Sequence, residues 1–284
     1  MKTKTKTLQS LHNPAIKKVL KLRSRPEKYA PALKSLSGEV LIEGPRPLAI
    51  AIEAGAAIKS ALITEDVLKE TGYDSILEKL TGLTIPVFVI DKDRMAQISD
   101  TVTPQGIIAI CKVKARDIHD LSPEKDELFV VSDAIQDPGN TGTIIRVCDG
   151  AGIRAFISLK GSANPFNPKV IRASAGSVFN MDIVLAERED FLEWCRGHKI
   201  PILITAPEAD RTIFEFDLEG SGALVFGNET QGVSNEIRQE AACSLRIPIY
   251  GSAESLNVAS TAAITIYEFI RKRRETEIRQ DIQD

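Results

Sequence analysis

The sequence predicts an α/β protein in two parts, a smaller α/β/α domain followed by a larger domain built on a parallel sheet. Three observations lead there. The chain of 284 residues is long enough for two domains, each with its own core. Short strand-like runs alternate with helical ones, and in the second half the strands are almost continuously apolar, as strands covered on both faces are. Between the halves, Lys114 to Glu127 loses apolar periodicity, fills with charge and carries the turn signal Ser122-Pro123. Residues 1–114 are therefore expected to form the first domain, 115–127 a linker and 128–284 the second domain.

Taken in order, Asn13-Pro14 starts a helix, with asparagine as N-cap and proline at the first helical position. Leu11, Ala15, Ile16, Val19, Leu20 and Leu22 supply an apolar stripe, and Lys17, Lys18, Lys21 and Arg25 surround it. Val40–Glu43 predicts a strand, Pro47–Ala57 a helix, Ala61–Thr64 a strand and Asp66–Leu80 a helix in two pieces. Val87–Ile90 is a strand, Asp91–Ile98 a helix and Gly106–Val113 the last strand of the first domain. The second half restarts with the strand Leu128–Ser132, a turn at Pro138–Gly142 and a helix from Thr143 to Ala151. Strands follow at Arg154–Leu159, Asp182–Leu185, Ile200–Thr205, Ala223–Gly227 and Leu245–Ile249. Helices are expected at Pro168–Ala173, Asp190–Gly197, Ser234–Ala242 and, longest, Asn257–Arg274.

The hydrophobic fraction of 43% and charged fraction of 26% belong to the globular class. No apolar run reaches bilayer-spanning length, and Met1-Lys-Thr-Lys-Thr-Lys-Thr-Leu8 has positive charges without the apolar stretch of a secretory signal, so a cytoplasmic protein is expected. Cys111, Cys148, Cys195 and Cys243 stand far apart, which argues for reduced, buried thiols and against a metal site. The net charge is −3, yet residues 1–34 hold ten Lys and Arg against the single acid Glu27. A basic arm on an acidic body suits contact with phosphate; a solvated tail plus an amphipathic helix explains it equally well.

No phosphate-binding G-x-x-x-x-G-K-[ST] and no dinucleotide G-x-G-x-x-G is present. His12, His119 and His198 sit in the basic arm, the linker and a helix end, so nothing resembles a Ser-His-Asp arrangement. What remains are three polar loops at strand ends of the second half, where α/β sheets bind ligands. The first runs from Asp137 to Arg146, with glycines that admit a close partner and Asn140 able to donate and accept. The second, Phe226 to Ser234, carries two glycines and an acid after a fully apolar strand. The third, Ile247 to Ala259, is rich in glycine and serine and ends where Asn257 caps the last helix. Each alone reads as a turn; three amide- and hydroxyl-bearing loops in one domain point to a site.

Written out, these segments are Asn140-x5-Arg146, Phe226-Gly-Asn-Glu-x-x-Gly-Val-Ser234 and Ile247-Pro-Ile-x-Gly-x-x-Glu-Ser-Leu-Asn-Val258. In order and spacing they resemble the three motifs of the SpoU (TrmH) family of RNA 2′-O-ribose methyltransferases, over about 150 residues from Leu128 to Arg274. The first half is similar to the substrate-binding domain often fused to that family, a fold like ribosomal protein L30e. Asn13-Pro-x-x-Lys17, Glu43-Gly-Pro-Arg46 and Gln105-Gly-Ile-Ile carry that second resemblance.

The resemblance implies a trefoil-knotted catalytic domain, an exception to the rule that chains do not thread loops. It implies S-adenosylmethionine as cofactor, held largely by backbone groups of Phe226, Gly227, Asn228, Gly232, Ile247, Pro248, Ser255, Leu256 and Asn257. It also places Arg146 beside the ribose 2′-hydroxyl, with Asn140, Glu229, Ser255 and Asn257 orienting that group or the substrate. The family's mechanism makes the arginine a base, but a guanidinium pKa above about 12 keeps it protonated. Arg146 is instead expected to orient the hydroxyl and a neighbouring phosphate.

RNA is the substrate that carries a 2′-hydroxyl. Lys17, Lys18, Lys21, Arg23 and Arg25 are expected to attract its backbone, with Arg46 and Arg172 as further phosphate contacts. The extra N-terminal domain favours 23S rRNA over tRNA. Family members pair through the last helix, so a homodimer is expected, its partner subunit helping to complete the site; no metal and no membrane partner are. Three alternatives stand beside this reading. They are a tRNA 2′-O-methyltransferase, a non-catalytic RNA-binding module of the same fold, and a knotted enzyme acting on a tRNA base nitrogen. Asn140, Arg146, Glu229, Ser255 and Asn257 together weigh against the pure binder, and the Asn140-x5-Arg146 segment favours ribose chemistry over base chemistry.

Overall fold

A computed structural model describes residues 5–69 and 73–281. Lys2 and Lys4 of the basic arm, and residues 70–72 of the expected Asp66–Leu80 helix pair, fall outside them. The elements run β1 (Thr5–Thr7), α1 (Pro14–Ser24), α2 (Pro26–Tyr29), β2 (Ser37–Glu43), α3 (Pro45–Glu53), β3 (Ala57–Thr64), α4 (Asp74–Gly82), β4 (Val87–Ile90), α5 (Lys92–Ile98) and β5 (Ile107–Lys114). They continue with β6 (Arg116–Asp117), β7 (Leu128–Asp133), α6 (Pro138–Gly150), β8 (Ala155–Leu159), α7 (Pro168–Ala173), β9 (Asp182–Ala186), α8 (Arg188–His198) and β10 (Ile202–Thr205). The last are β11 (Arg211–Thr212), β12 (Gly222–Gly227), α9 (Asn235–Glu240), β13 (Cys243–Arg246) and α10 (Val258–Asp281). Residues 1–115 with 166–180 make one compact unit, and 116–165 with 181–284 the other.

The first unit has a five-stranded mixed sheet in the order β1-β4-β3-β5-β2, in which β5 runs antiparallel to both β2 and β3. Helix α1 starts as its sequence requires. The Asn13 side chain accepts from the Ala15 N–H (2.9 Å), Pro14 opens the helix, and Ile16, Val19 and Leu22 are buried against the sheet residues Leu41, Leu62 and Ile108. Helix α3 begins two residues earlier than expected and ends four earlier, because Ala57 already belongs to β3. Of the two helical pieces expected from Asp66, the structure has α4; residues after Asp66 form a turn.

The second unit is an eight-stranded sheet, β11-β13-β10-β12-β7-β8-β9-β6, and every strand pairing in it is parallel. Its strands are buried along their whole length at β7, β8 and β12, which explains their unbroken apolar runs. From central β7 the chain builds outward through β8 and β9, then crosses to the other side, where β12 slots between β10 and β7. The carboxyl ends of β7, β12, β10 and β13 therefore lie side by side where the strand order reverses, the position at which open α/β sheets bind ligands. After β13 the chain returns from near the sheet edge, and α10 packs on α6 and β12.

The segment 115–127 is folded rather than bare. Residues Arg116–Asp117 pair with β9, Ile118–Asp120 make a 3-10 turn, and Ile118 and Leu121 enter the core beside Trp194, whose Nε1 donates to the Leu121 carbonyl (2.8 Å). Arg154 adds polar anchors, donating to Glu127 (2.7 and 2.8 Å) and to the Ser122 carbonyl (3.0 Å). Cys111, Cys148 and Cys195 are buried and free; burial pushes Cys111 and Cys195 up to about 12, and raises Cys148 as well. Cys243 is half-buried. His12, His119 and His198 are all exposed.

The main departure from expectation lies at α6. Pro138 to Gly142, read as a turn, is the helix's first turn: Pro138 opens it, and the Asp137 carboxylate caps it by accepting from the Asn140 N–H (2.7 Å). Asp137→Ala is expected to cost about 1 kcal/mol of stability, read as a lower urea midpoint with an unchanged slope.

Candidate active site

The three polar loops meet at the carboxyl ends of the strands. Helix α6 offers Asn140 from its first turn, and the loop after β12 offers Glu229. The residue before α10, Asn257, completes the set. Asn257 Nδ2 donates to Asn140 Oδ1 (3.0 Å), and Asn140 Nδ2 donates to Glu229 Oε1 (2.6 Å). The direction of this line is fixed by its ends. Asn257 Oδ1 accepts from the Ala259 N–H (2.9 Å) as the cap of α10, so its Nδ2 must face Asn140. Glu229 as a carboxylate only accepts, so Asn140 must give it an N–H. The line thus runs from the positive end of a helix to a carboxylate.

The Glu229 loop is built on a close approach. A Cβ on Gly227 would stand 2.3 Å from both Gly232 C and Val233 N, and Gly232 itself takes a φ of 70°. The backbones of Asn228 and Gly232 then exchange two hydrogen bonds (3.0 and 2.9 Å), and Asn228 Oδ1 accepts from the Thr230 and Gln231 N–H groups (2.9 and 3.0 Å). This closed loop forms one wall of a cleft of about 570 Å³. Of the residues expected to hold the cofactor, the structure brings Gly227, Asn228, Gly232, Ile247, Ser255, Leu256 and Asn257 to the lining of the cleft. The Phe226 side chain is fully buried, and Pro248 is half-buried and outside the lining; β13 ends at Arg246, short of the expected Ile249.

Arg146 stands apart. Six residues along a helix put two side chains about 120° apart, so Arg146 is exposed on α6 away from the line made by Asn140. Ser255 is exposed at the cleft. The loop after β10 was missed in the sequence. Thr205 to Glu208 line the cleft, and Glu208 pairs with Arg238 (2.9 Å); a backbone amide and that guanidinium hold the Glu208 carboxyl below the usual carboxylate range. The signal that could have found it is position, since it follows an apolar parallel strand at its carboxyl end.

The basic candidates divide. Lys17, Lys21, Arg25 and Arg46 are exposed. Lys18 pairs with Glu39, Arg23 donates to the Gln97 and Ser99 carbonyls (2.7 and 2.9 Å), and Arg172 faces Glu43 (3.5 Å) and Asp100 (3.7 Å). Among the described residues no three His, Cys, Asp or Glu side chains stand together as metal ligands, and no helix is long and apolar enough to cross a membrane.

The fold agrees with solved enzymes over nearly the whole chain. An AdoMet-bound rRNA methyltransferase from Sinorhizobium meliloti superposes with a TM-score of 0.80 at 28% identity, covering 94% of this chain and 98% of that one. The cleft suits such a cofactor: its volume is that of a small-molecule site, its walls combine Gly227 and Gly232 with apolar side chains such as Leu245, Ile247 and Leu256 and polar ones such as Asn228, Glu229 and Asn257, and a Cβ at Gly227 would collide with the facing backbone. Fold and site together define an S-adenosylmethionine-dependent RNA methyltransferase. The model of the SpoU rRNA methylase family matches residues 127–267, and that of the RNA 2′-O ribose methyltransferase substrate-binding domain matches residues 41–115. A 23S rRNA (guanosine(2553)-2′-O)-methyltransferase of Bacillus subtilis is 32% identical over 92% of this chain and 98% of its own. A 23S rRNA (uridine(2479)-2′-O)-methyltransferase of Streptomyces viridochromogenes is 29% identical over 92% of this chain and 94% of its own. The chain belongs to the SpoU rRNA methylase family.

Gly227→Ala is expected to lose on the order of 2 kcal/mol by overpacking the loop, and to abolish cofactor binding in a calorimetric titration while circular dichroism still shows a folded chain.

Proposed function

We propose that this protein methylates a ribose 2′-hydroxyl of 23S rRNA, and that the Asn257–Asn140–Glu229 line beside the cleft is its substrate-orienting centre. That hydrogen-bonded line is the observation that carries the reading, since it joins all three motif loops at the mouth of the cleft. The two curated relatives described above, each covered over nine-tenths of its length, act on ribose 2′-oxygens of 23S rRNA at different bases, as their names state. Ribose is common to both targets, so the chemistry needs the sugar and not the base.

The cofactor, held by Gly227, Asn228, Gly232, Ile247, Ser255, Leu256 and Asn257 with Phe226 and Pro248 behind them, supplies an electrophilic methyl group on a good leaving group. The chain's own work is to place the 2′-oxygen in line and to lower the cost of losing its proton. Asn140 and Glu229 orient the sugar through fixed donor and acceptor positions, and Ser255 adds a hydroxyl at the cleft. Arg146 holds the 2′-oxygen and an adjacent phosphate with its planar fork, favouring negative charge on the oxygen as the proton departs.

Arg146 reaches the reacting sugar from a second copy of the chain. Ile264 and Tyr267 are exposed on α10, and the Tyr267 hydroxyl lies over Gly150 of α6, the helix that carries Arg146. The exposed Ile264 and Tyr267 of α10, beside α6, suit a homodimer in which Arg146 of the partner subunit completes each cleft. In the substrate-binding unit, Lys17, Lys21, Arg25 and Arg46 hold the RNA backbone; the cations already engaged, Lys18, Arg23 and Arg172, contribute charge without a free fork. An rRNA substrate places this work in the cytoplasm.

Labelled S-adenosylmethionine with unmodified 23S rRNA and, separately, tRNA tests this directly. Alkali-resistant label in 23S rRNA is expected, with Arg146→Ala reducing it by about 10² or more. Label only in tRNA, or label on a base, would overturn the assignment. Arg146→Lys is expected to stay within about tenfold of Arg146→Ala; near-wild-type turnover would show that fork geometry is not what matters. Sedimentation is expected to give a dimer that Tyr267→Asp dissociates, with loss of methyl transfer.

A further inference from the structure

The carboxyl end of β7 holds a buried carboxylate outside the three motifs. Asp133 is the last residue of β7, lies in register beside Gly227 and is 0% exposed. Its Oδ1 accepts from Arg188 Nη2 (3.0 Å) and Nε (3.3 Å), and its Oδ2 accepts from the Ser234 N–H (2.7 Å). The next residue, Ala134, has a φ of 58°, a left-handed conformation that a side chain disfavours. That twist presents its carbonyl to Asn228 Nδ2 (3.1 Å).

Two successive residues therefore hold both ends of one loop. Ala134 fixes Asn228 where the loop leaves β12, and Asp133 fixes Ser234 where it enters α9. A fully buried carboxylate is costly unless paired and hydrogen-bonded, and an apolar residue would fill the space at less cost. The charge here is spent on one loop N–H and one arginine. Ser234 has no other visible reason to be tied down, since its own Oγ is buried without a partner and does not cap α9.

We propose that Asp133 is a positioning residue for methyl transfer: its carboxylate, anchored by Arg188, clamps the Ser234 N–H and thereby sets the cofactor wall and Glu229 against Asn140. This rests on the reading that the loop Gly227–Gly232 holds the cofactor. The role differs from plain core packing, because it predicts an effect on the cofactor that survives in the folded protein.

Two variants of the full chain test it. Asp133→Asn keeps the shape and one accepting oxygen but cannot form the ion pair. Ser234→Pro removes the clamped N–H together with a hydroxyl that makes no hydrogen bond, at a residue whose φ of −58° proline adopts, and leaves the Asp133–Arg188 pair in place; Ser234→Ala, which removes the hydroxyl alone, is the control. In Asp133→Asn and Ser234→Pro, the Kd and KM for S-adenosylmethionine are expected to rise about tenfold, with the KM for rRNA within about twofold of wild type. A lower melting temperature with wild-type cofactor Kd in both folded variants would overturn the proposal and leave the cofactor site standing. A wild-type chain that binds no S-adenosylmethionine would overturn the cofactor reading and this proposal with it. Should Asp133→Asn fail to fold, Ser234→Pro decides alone.

Discussion

The chemistry of the larger unit depends on one close approach, the Gly227 backbone lying against Gly232 and Val233 with no room for a Cβ. Because those backbones touch, the chain can reverse within five residues after leaving a central, fully buried strand. The reversal brings all five residues of the loop, Asn228 to Gly232, to the cleft, Glu229 among them. From there the carboxylate meets Asn140, and through Asn140 the cap of α10. A larger residue at Gly227 would displace all of these together, since each is positioned by the one before it.

The parallel sheet decides where this happens. Polar loops can gather only at strand ends, and the reversal of strand order brings four carboxyl ends into one row. Strands buried on both faces leave no room for a polar site within the sheet, so charge appears there only with a partner, as Asp133 does with Arg188. The cost of burying that carboxylate is set against the order it imposes on the loop above it.

Charge is organised differently in the substrate-binding unit. The protein as a whole is acidic, with 39 acids against 36 Lys and Arg, yet residues 1–34 carry ten of those cations and one acid. The structure commits part of that basic set to internal partners and leaves Lys17, Lys21 and Arg25 facing outward. A localised basic face on an acidic body attracts a polyanion at one end and disfavours coating it elsewhere.

By itself the sequence determined what depends on local chemistry. The α1 cap at Asn13-Pro14, the apolar runs of β7, β8 and β12, the Pro168–Ala173 helix and the glycines of the Glu229 loop are written in neighbouring residues, so they were legible, as were the three motifs and the family resemblance they carry. The cap of α6 is local as well, with Asp137 accepting from the Asn140 N–H three residues on, yet the glycines and asparagine of Pro138–Gly142 read as a turn. Tertiary structure decided what depends on distant partners. Thr205–Glu208 joins the cleft because β10 lies beside β12, and Asp133 matters because Ser234, a hundred and one residues later, comes back to it. Caps and periodicity act over a few residues of chain, whereas a cleft is made by strand order, and strand order is settled by packing between segments far apart in sequence.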